Sequence, residues 1–272
     1  MAEPMVLVAG SGRLPLLVAE SLTRAGRAYR VLALRGFTDR ALPADATVDL
    51  LDVEAALARL DAWRPAGVVL AGTVARPRPA ALMGAAALLR DRDGLRAVTG
   101  GDDGLLRRVV ALIESRGHPV VGVDAVAPDL LAPEGPLGRL RAPAEAAAIS
   151  VGRAVLAALS PFDIGQGVVV AGSRVLAVEG PEGTDRMLAR VRPGLLDRLR
   201  RHRRGGVLVK VAKGGQDRRV DLPAIGPRTV RRAARAGLAG IAVGAGSTLV
   251  LDRAETGAVA DRLGLFVIGL AP

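Results

Sequence analysis

Val6-Leu-Val-Ala-Gly10-Ser-Gly12-Arg-Leu14-Pro15 decides the fold. Four apolar residues make a short buried strand, Gly10-Ser-Gly12 is a turn, and Leu14-Pro15 opens an Ala/Leu-rich helix that runs to about residue 25. The alternation then repeats. Residues 31–34 and 67–71 read as further strands, 53–60 as a helix, 79–89 and 103–116 as helices, and 119–123 as another strand. Short apolar runs alternating with helices predict a parallel sheet covered by helices. The N-terminal domain is therefore expected to be Rossmann-like α/β over residues 1–126.

Residues 127–143 are rich in Pro and Gly, carry little periodicity and read as a linker. The remainder, 144–272, predicts a second α/β domain with a mixed sheet. Its helix begins near residue 143 and ends near 159. A hairpin of 167–171 and 175–178 turns at Gly172-Ser173. Strands at 207–211, 240–243, 248–251 and 265–268 alternate with helices near 185–191, 195–201, 227–236 and 253–263. This domain is expected to be the catalytic one. The chain shows no internal repeat.

Composition narrows the function. Half of the 272 residues are hydrophobic but only 2% are aromatic, so the core is built from Ala, Val, Leu and Gly. With no cysteine there is no disulfide, thiolate nucleophile or cysteine metal cluster. Met1-Ala-Glu-Pro-Met5 lacks the basic start and cleavage site of a signal peptide. The longest apolar runs fall short of the roughly 18 residues that span a bilayer. A cytoplasmic protein, at most resting on a membrane surface, is expected. The net charge of +11 suits solubility, an anionic lipid surface or nucleic acid. A single-strand stacking platform needs aromatics, and the few present are scattered, which argues against nucleic acid.

Lys210 and Lys213 are the only lysines among 38 basic residues, and Gln166 and Gln216 the only glutamines. Such a bias trades Lys for Arg wherever the two are interchangeable. Positions that keep Lys point to a need for a compact ammonium rather than a planar guanidinium. Lys210, Lys213 and Gln216 fall within seven residues.

The candidate sites divide between plain structural and chemical readings. Gly10-Ser-Gly12-Arg-Leu14-Pro15 is either a tight turn or a nucleotide or phosphate contact at a helix N-terminus. Pro15 at the third fingerprint position and Arg35 at the end of the second strand disfavour a dinucleotide, and no Gly-Lys-Ser/Thr supports a P-loop. Gly72-Thr73-Val-Ala-Arg76-Pro77 follows a strand, where open α/β sheets bind ligands, and Arg76 suits a bidentate diphosphate grip. Asp102 is an N-cap, or else Asp102 or Asp103 meets a ligand or metal. Gln166 lies in Asp163-Ile-Gly-Gln-Gly167, a glycine turn or a contact site. In Glu179-Gly-Pro-Glu-Gly183-Thr184-Asp185, Thr184 or Asp185 caps a helix, or Gly183 and Thr184 hold a phosphate. The arginine run at 198–204 is a solvated helix face or a lipid-facing patch. His118 and His202 are far apart and suggest no histidine metal centre.

The densest chemistry lies in residues 210–227, Lys-Val-Ala-Lys213-Gly-Gly-Gln216-Asp217-Arg-Arg219-Val-Asp221-Leu222-Pro223-Ala-Ile-Gly-Pro227. Cations neutralise developing phosphoryl charge, and a carboxylate positions a water or a Mg²⁺ or Mn²⁺ ion. The mix therefore points to a diphosphate hydrolase.

Together the motifs resemble the UDP-2,3-diacylglucosamine diphosphatase family of lipid A biosynthesis, of the type unrelated to calcineurin-like metallophosphoesterases. The resemblance spans nearly the whole chain. It rests on Gly-x-Gly-x-Leu-Pro at 10–15, Ala-Gly-x-Val-x-Arg-Pro at 71–77, Gly-Asp-Asp-x-Leu-Leu-Arg-Arg-Val at 101–109 and Asp-Ile-Gly-Gln-Gly at 163–167. It continues in Leu-Ala-Val-Glu with Glu-Gly-Thr-Asp within 176–185 and Arg-Val-Asp-Leu-Pro-Ala-Ile-Gly at 219–226. It implies hydrolysis to UMP and 2,3-diacylglucosamine 1-phosphate (lipid X), a divalent cation, a homodimer, and substrate held between two domains at the inner-membrane surface of a Gram-negative bacterium. It implies that Asp221 is the essential carboxylate; Asp221 and, from the carboxylates of the 210–227 stretch, Asp217 are the expected metal ligands. The expected substrate contacts are Gly10, Gly12, Leu14, Gly72, Thr73, Arg76, Gln166, Gly183, Thr184, Lys210, Lys213, Gln216, Arg219, Leu222 and Pro223. The chain departs from the family at Gly244, where Glu is frequent, and at Gly214, where Pro follows the lysine.

Overall fold

The computed structural model describes residues 3–74, 102–140, 145–162, 164–191, 205–213 and 217–271, excepting the side chains of 102–105. The chain divides into two compact units. One takes Met1–Asp129 together with Asp217–Asp221; the other takes Leu130–Gln216 and Leu222–Pro272.

The first unit comprises β1 (Met5–Ala9), α1 (Leu14–Arg24), β2 (Tyr29–Leu34), β3 (Ala46–Val48), α2 (Val53–Trp63), β4 (Gly67–Ala71), α3 (Asp102–Ser115), β5 (Val120–Val121) and α4 (Val123–Val126). The strands form a parallel sheet in the order β3-β2-β1-β4-β5. Val6, Leu32, Val48, Val68 and Val120 face Leu57 and Leu60 of α2 and Val110 and Ile113 of α3. Their neighbours Leu7, Val31 and Val69 are equally buried, and the two-residue period turns them to the other face. There α1 contributes Leu17, Val18 and Leu22. This is the helix-covered parallel sheet that the alternation predicts. Two details differ. β3 is a three-residue strand with no alternation long enough to read. Residues 119–123 are a strand only at Val120–Val121, after which the apolar run turns into α4. A short apolar run does not distinguish strand from helix.

The second unit comprises β6 (Gly135–Pro136), α5 (Ala146–Leu159), β7 (Gly167–Ala171), β8 (Arg174–Val178), α6 (Thr184–Arg190), β9 (Val207–Lys210), β10 (Ala224–Ile225), α7 (Pro227–Arg235), β11 (Gly240–Gly244), β12 (Leu249–Val250), α8 (Arg253–Leu263) and β13 (Phe266–Leu270). Its main sheet is mixed, in the order β6-β13-β11-β9-β7-β8. The inner strands β13, β11 and β9 are parallel, and β6, β7 and β8 join antiparallel. The strand expected at 248–251 leaves this sheet: β12 pairs with β10 in a separate parallel ribbon. The stretch expected as a linker carries a 3₁₀ turn at Pro128–Leu130 and β6, which pairs with β13. The helices expected at 79–89 and 195–201 lie outside the described residues.

Each face of the mixed sheet is covered. Val169, Leu208, Ile241, Val243 and Val267 pack with Met187 and Leu188 of α6, Val230 and Ala233 of α7, and Val259 and Ala260 of α8. On the other face Val168, Val170, Val207, Val209 and Ala242 meet Ala148 and Leu156 of α5. Gly152 sits in the middle of α5, where glycine costs about 1 kcal/mol against alanine. A Cβ there would lie 2.5 Å from Val209 Cγ2, so the helix rests on the strand through the missing side chain. Gly152→Ala is therefore expected to lower stability by about 1–3 kcal/mol despite the better helix propensity, because overpacking outweighs it. The thermal unfolding midpoint checks this, and Val209→Ala in the same chain should recover part of the loss.

Candidate functional site

In the first sheet the strand order reverses between β1 and β4, the position where open α/β sheets bind ligands. The loops after these two strands are joined. The Ser11 N–H donates to the Thr73 carbonyl at 2.8 Å, the Thr73 N–H returns to the Ser11 carbonyl at 2.9 Å, and the Gly10 N–H donates to Ala71 at 2.8 Å. The Ser11 hydroxyl also donates to the Thr73 carbonyl at 2.6 Å. The crossing explains Gly72: its φ is +97°, and a Cβ would lie 2.7 Å from the Ser11 carbonyl oxygen. Gly10, Gly12, Gly72 and Thr73 thus meet at one sheet edge. The amides of Gly10 and Ser11 are already used there. What the loop offers an anion is the first turn of α1, entered through Gly12 and half-buried Leu14, with no side-chain cap.

In the second unit a charged cluster sits at the C-terminal end of β9. Lys210 is only 6% exposed. Its Nζ donates to Thr184 Oγ1 at 2.6 Å and lies 3.4 Å from Glu179 Oε1. The Thr184 hydroxyl donates to the same Glu179 Oε1 at 2.5 Å. Thr184 therefore does not cap α6; Gly183 occupies the N-cap position without a side-chain bond, and Asp185 pairs with Arg228 and Arg232. Gln166 lies beside this cluster, its carbonyl accepting from the Val211 N–H at 3.2 Å. Lys213 is half-buried just beyond β9. Glu179, expected only as the start of a connection, is the partner the sequence did not single out. Its link to Lys210 is 31 residues long and follows no periodicity.

The segment Asp217–Asp221 belongs to the first unit although the chain on both sides belongs to the second. Its backbone closes a single turn, with the Asp221 N–H donating to the Asp217 carbonyl at 3.1 Å. Arg219 fastens it. Nε and Nη2 grip Asp217 at 2.9 Å and 2.8 Å, and Nη1 donates to Glu114 of α3 at 2.7 Å. Arg218 pairs with Asp124 at 3.2 Å, and Val220 packs on the core beneath α2 and α3. Arg219, expected at the substrate, thus holds two carboxylates of the protein. The Arg219 hydrogen bonds hold the Asp217 carboxyl below its ordinary range, which opposes the upward effect of burial. Asp221 itself is half-buried. Leu222 and Pro223 lead into β10, where the Pro223 carbonyl accepts from the Leu249 N–H at 2.8 Å. Gln216, Arg76 and the side chains of Asp102 and Asp103 lie outside the described residues. Gly244 ends β11, and a Cβ there would come within 2.4 Å of Ser247 Oγ.

Among the described residues no group of three or more His, Asp or Glu is placed to hold a metal ion. Asp217 offers little to a cation while Arg219 grips both its oxygens.

The clamp carries a prediction. Removing Glu114 by Glu114→Gln should loosen the 217–221 turn and lower the thermal midpoint, and Arg219→Lys should do the same, since an ammonium cannot reproduce the forked grip. The pH dependence has a definite sign. A carboxyl depressed in the folded state stabilises fully above its unfolded value and loses that contribution as pH falls through the depressed one. The stability gap between the wild type and Asp217→Asn should therefore be largest near neutrality and close in acid, read by thermal melts across pH.

The LpxI N-terminal domain model matches residues 4–130, and the LpxI C-terminal domain model matches residues 133–268. The chain is 44% identical to the UDP-2,3-diacylglucosamine pyrophosphatase LpxI of Caulobacter vibrioides, over 98% of this chain and 97% of that relative. With both domain models matched in order and a relative matched end to end, the chain belongs to the LpxI family.

Proposed function

We propose that this chain hydrolyses the diphosphate of UDP-2,3-diacylglucosamine to UMP and 2,3-diacylglucosamine 1-phosphate. The observation that carries the reading is the likeness, over nearly all of both chains, to a relative named for that pyrophosphatase. The chemistry on the chain agrees with it. A diphosphate needs cations at its oxygens, and the Lys210 ammonium stands at the C-terminal edge of parallel strands. Within the first unit, taken by itself, the uncapped first turn of α1 at the strand-order reversal also suits an anion.

A divalent cation, Mg²⁺ or Mn²⁺, belongs to this reading. Mg²⁺ is commonly held by one or two carboxylates together with substrate phosphates, so a single protein carboxylate suits it. Asp221 is that carboxylate in this reading, as the position that matches the essential aspartate of the family, while the oxygens of Asp217 are on Arg219. Bound to the diphosphate, such an ion neutralises charge on the phosphoryl oxygens. Asp221 then serves either as its ligand or as the group that orients the attacking water.

The reading extends to place and assembly. No helix among the described residues is long and apolar enough to cross a membrane. A diacylated substrate and a net charge of +11 suit peripheral work at the anionic inner face of the cytoplasmic membrane, and a homodimer is part of the same family-based reading.

Incubating the full chain with UDP-2,3-diacylglucosamine and Mg²⁺ should release UMP. Asp221→Ala should reduce that release by at least about a hundredfold while the protein stays folded. Chelation by EDTA should abolish release and added Mg²⁺ restore it. No UMP from the wild type would remove the substrate assignment, and full activity in EDTA would remove the metal.

A further inference from the structure

Glu179 and Lys210 reach each other across an intervening strand. In the pairing of β7 with β9, Gly167 stands opposite Lys210. On the other side of β7, Val168 pairs with Val178, and the Glu179 N–H donates to the Gly167 carbonyl at 2.8 Å. Glu179, Gly167 and Lys210 therefore lie in a row across the sheet. Adjacent same-face positions are about 5 Å apart, so the outer two are separated by roughly twice that. Their long side chains meet above the central residue only because it has no side chain. A Cβ on Gly167 would lie 2.6 Å from Glu179 Oε2, and one on Gly165 would lie 2.0 Å from the Glu179 carbonyl oxygen. The two glycines of the Asp163–Gly167 motif are the room that Glu179 occupies.

The cluster is poorly explained as a device for stability. Glu179 is 8% exposed, and its Oε2 has no hydrogen-bond partner among the described residues. A buried carboxylate with one oxygen unpartnered costs free energy, and buried ion pairs are often no better than apolar residues of similar volume. What the arrangement does achieve is a fixed ammonium. Lys210 gives one N–H to Thr184 and directs a second toward Glu179 Oε1; Thr184 in turn donates to that same oxygen. Both restraints come from the β8–α6 side, and among the described residues the third N–H meets no further acceptor, so it can be offered to a ligand oxygen.

We infer that Glu179 is a positioning residue which, through Thr184 and over Gly167, holds the Lys210 ammonium in place to bind a diphosphate oxygen of the substrate. The inference rests on the diphosphatase reading. It makes a prediction opposite in sign to plain electrostatics. If Glu179 were only a negative charge near an anion site, removing it would tighten anion binding. If it positions Lys210, removing it loosens binding.

The test uses the full chain and UDP as the probe, with binding measured by calorimetry beside steady-state UMP release. Glu179→Gln should weaken UDP about tenfold and raise KM by the same factor, with kcat within about twofold and the thermal midpoint retained. Thr184→Val should reproduce the weakening and Thr184→Ser should restore affinity, which keeps the question answerable if Glu179→Gln does not fold. UDP affinity unchanged or tightened in folded Glu179→Gln, or unchanged in Thr184→Val, overturns the inference. A wild type that binds UDP but releases no UMP overturns the reaction alone, and the variants' UDP affinities still decide the role of Glu179.

Discussion

A core with almost no aromatic rings reaches interior density only where its layers approach closely. Aromatics are 2% of this chain, and glycine lets elements close the gaps that bulky side chains fill elsewhere. α5 rests on β9 through Gly152, Phe266 lies over Gly240, and the loops after β1 and β4 cross at Gly72. The same constraint shapes the chemistry. The β1 and β4 loops come close enough to exchange backbone hydrogen bonds, which fixes the edge where the sheet order reverses. Gly167 lets two long charged side chains close over a strand. Packing and site geometry are consequences of one compositional choice.

Much of this was legible in the sequence, for identifiable reasons. Strands β1, β2 and β4 are apolar runs bounded by turns, and burial on both faces leaves such runs unbroken. What escaped lacked a local signal. β3 has three residues, one of them Thr47, and β6 is Gly135-Pro136, a pair that reads as turn. The mostly apolar stretch 120–126, broken only by Gly122 and Asp124, contains a strand and a helix, and hydrophobicity alone does not divide it. The departure of Asp217–Asp221 to the first unit was equally hidden, because the residues that fasten it, Glu114 and Asp124, lie about a hundred positions earlier.

The candidate site was legible in a different way. Lys210 stood out because lysine is almost absent from a chain rich in arginine, and the structure gives that exception a geometry. An ammonium is compact, carries three donors on a flexible stem, and fits a buried position between a hydroxyl and a carboxylate. Glu179 carried no comparable mark, since acidic residues are common in the chain and its partner lies far along it.

Arg219 shows the same rule from the other side. There the cation must span two carboxylates at once, Asp217 with one edge of the guanidinium and Glu114 with the remaining nitrogen. A planar fork does this and a point charge does not. An arginine engaged on both edges has little left for a phosphate, so its contribution is to hold the turn that ends at Asp221. Where a cation is flexible, compact and keeps a donor in reserve, it suits a substrate oxygen; where it is forked and saturated, it suits the scaffold. On that criterion Lys210 and Arg219 differ in kind: Arg219 is committed to the turn that carries Asp221, whereas Lys210 has the chemistry that the proposed diphosphate contact calls for.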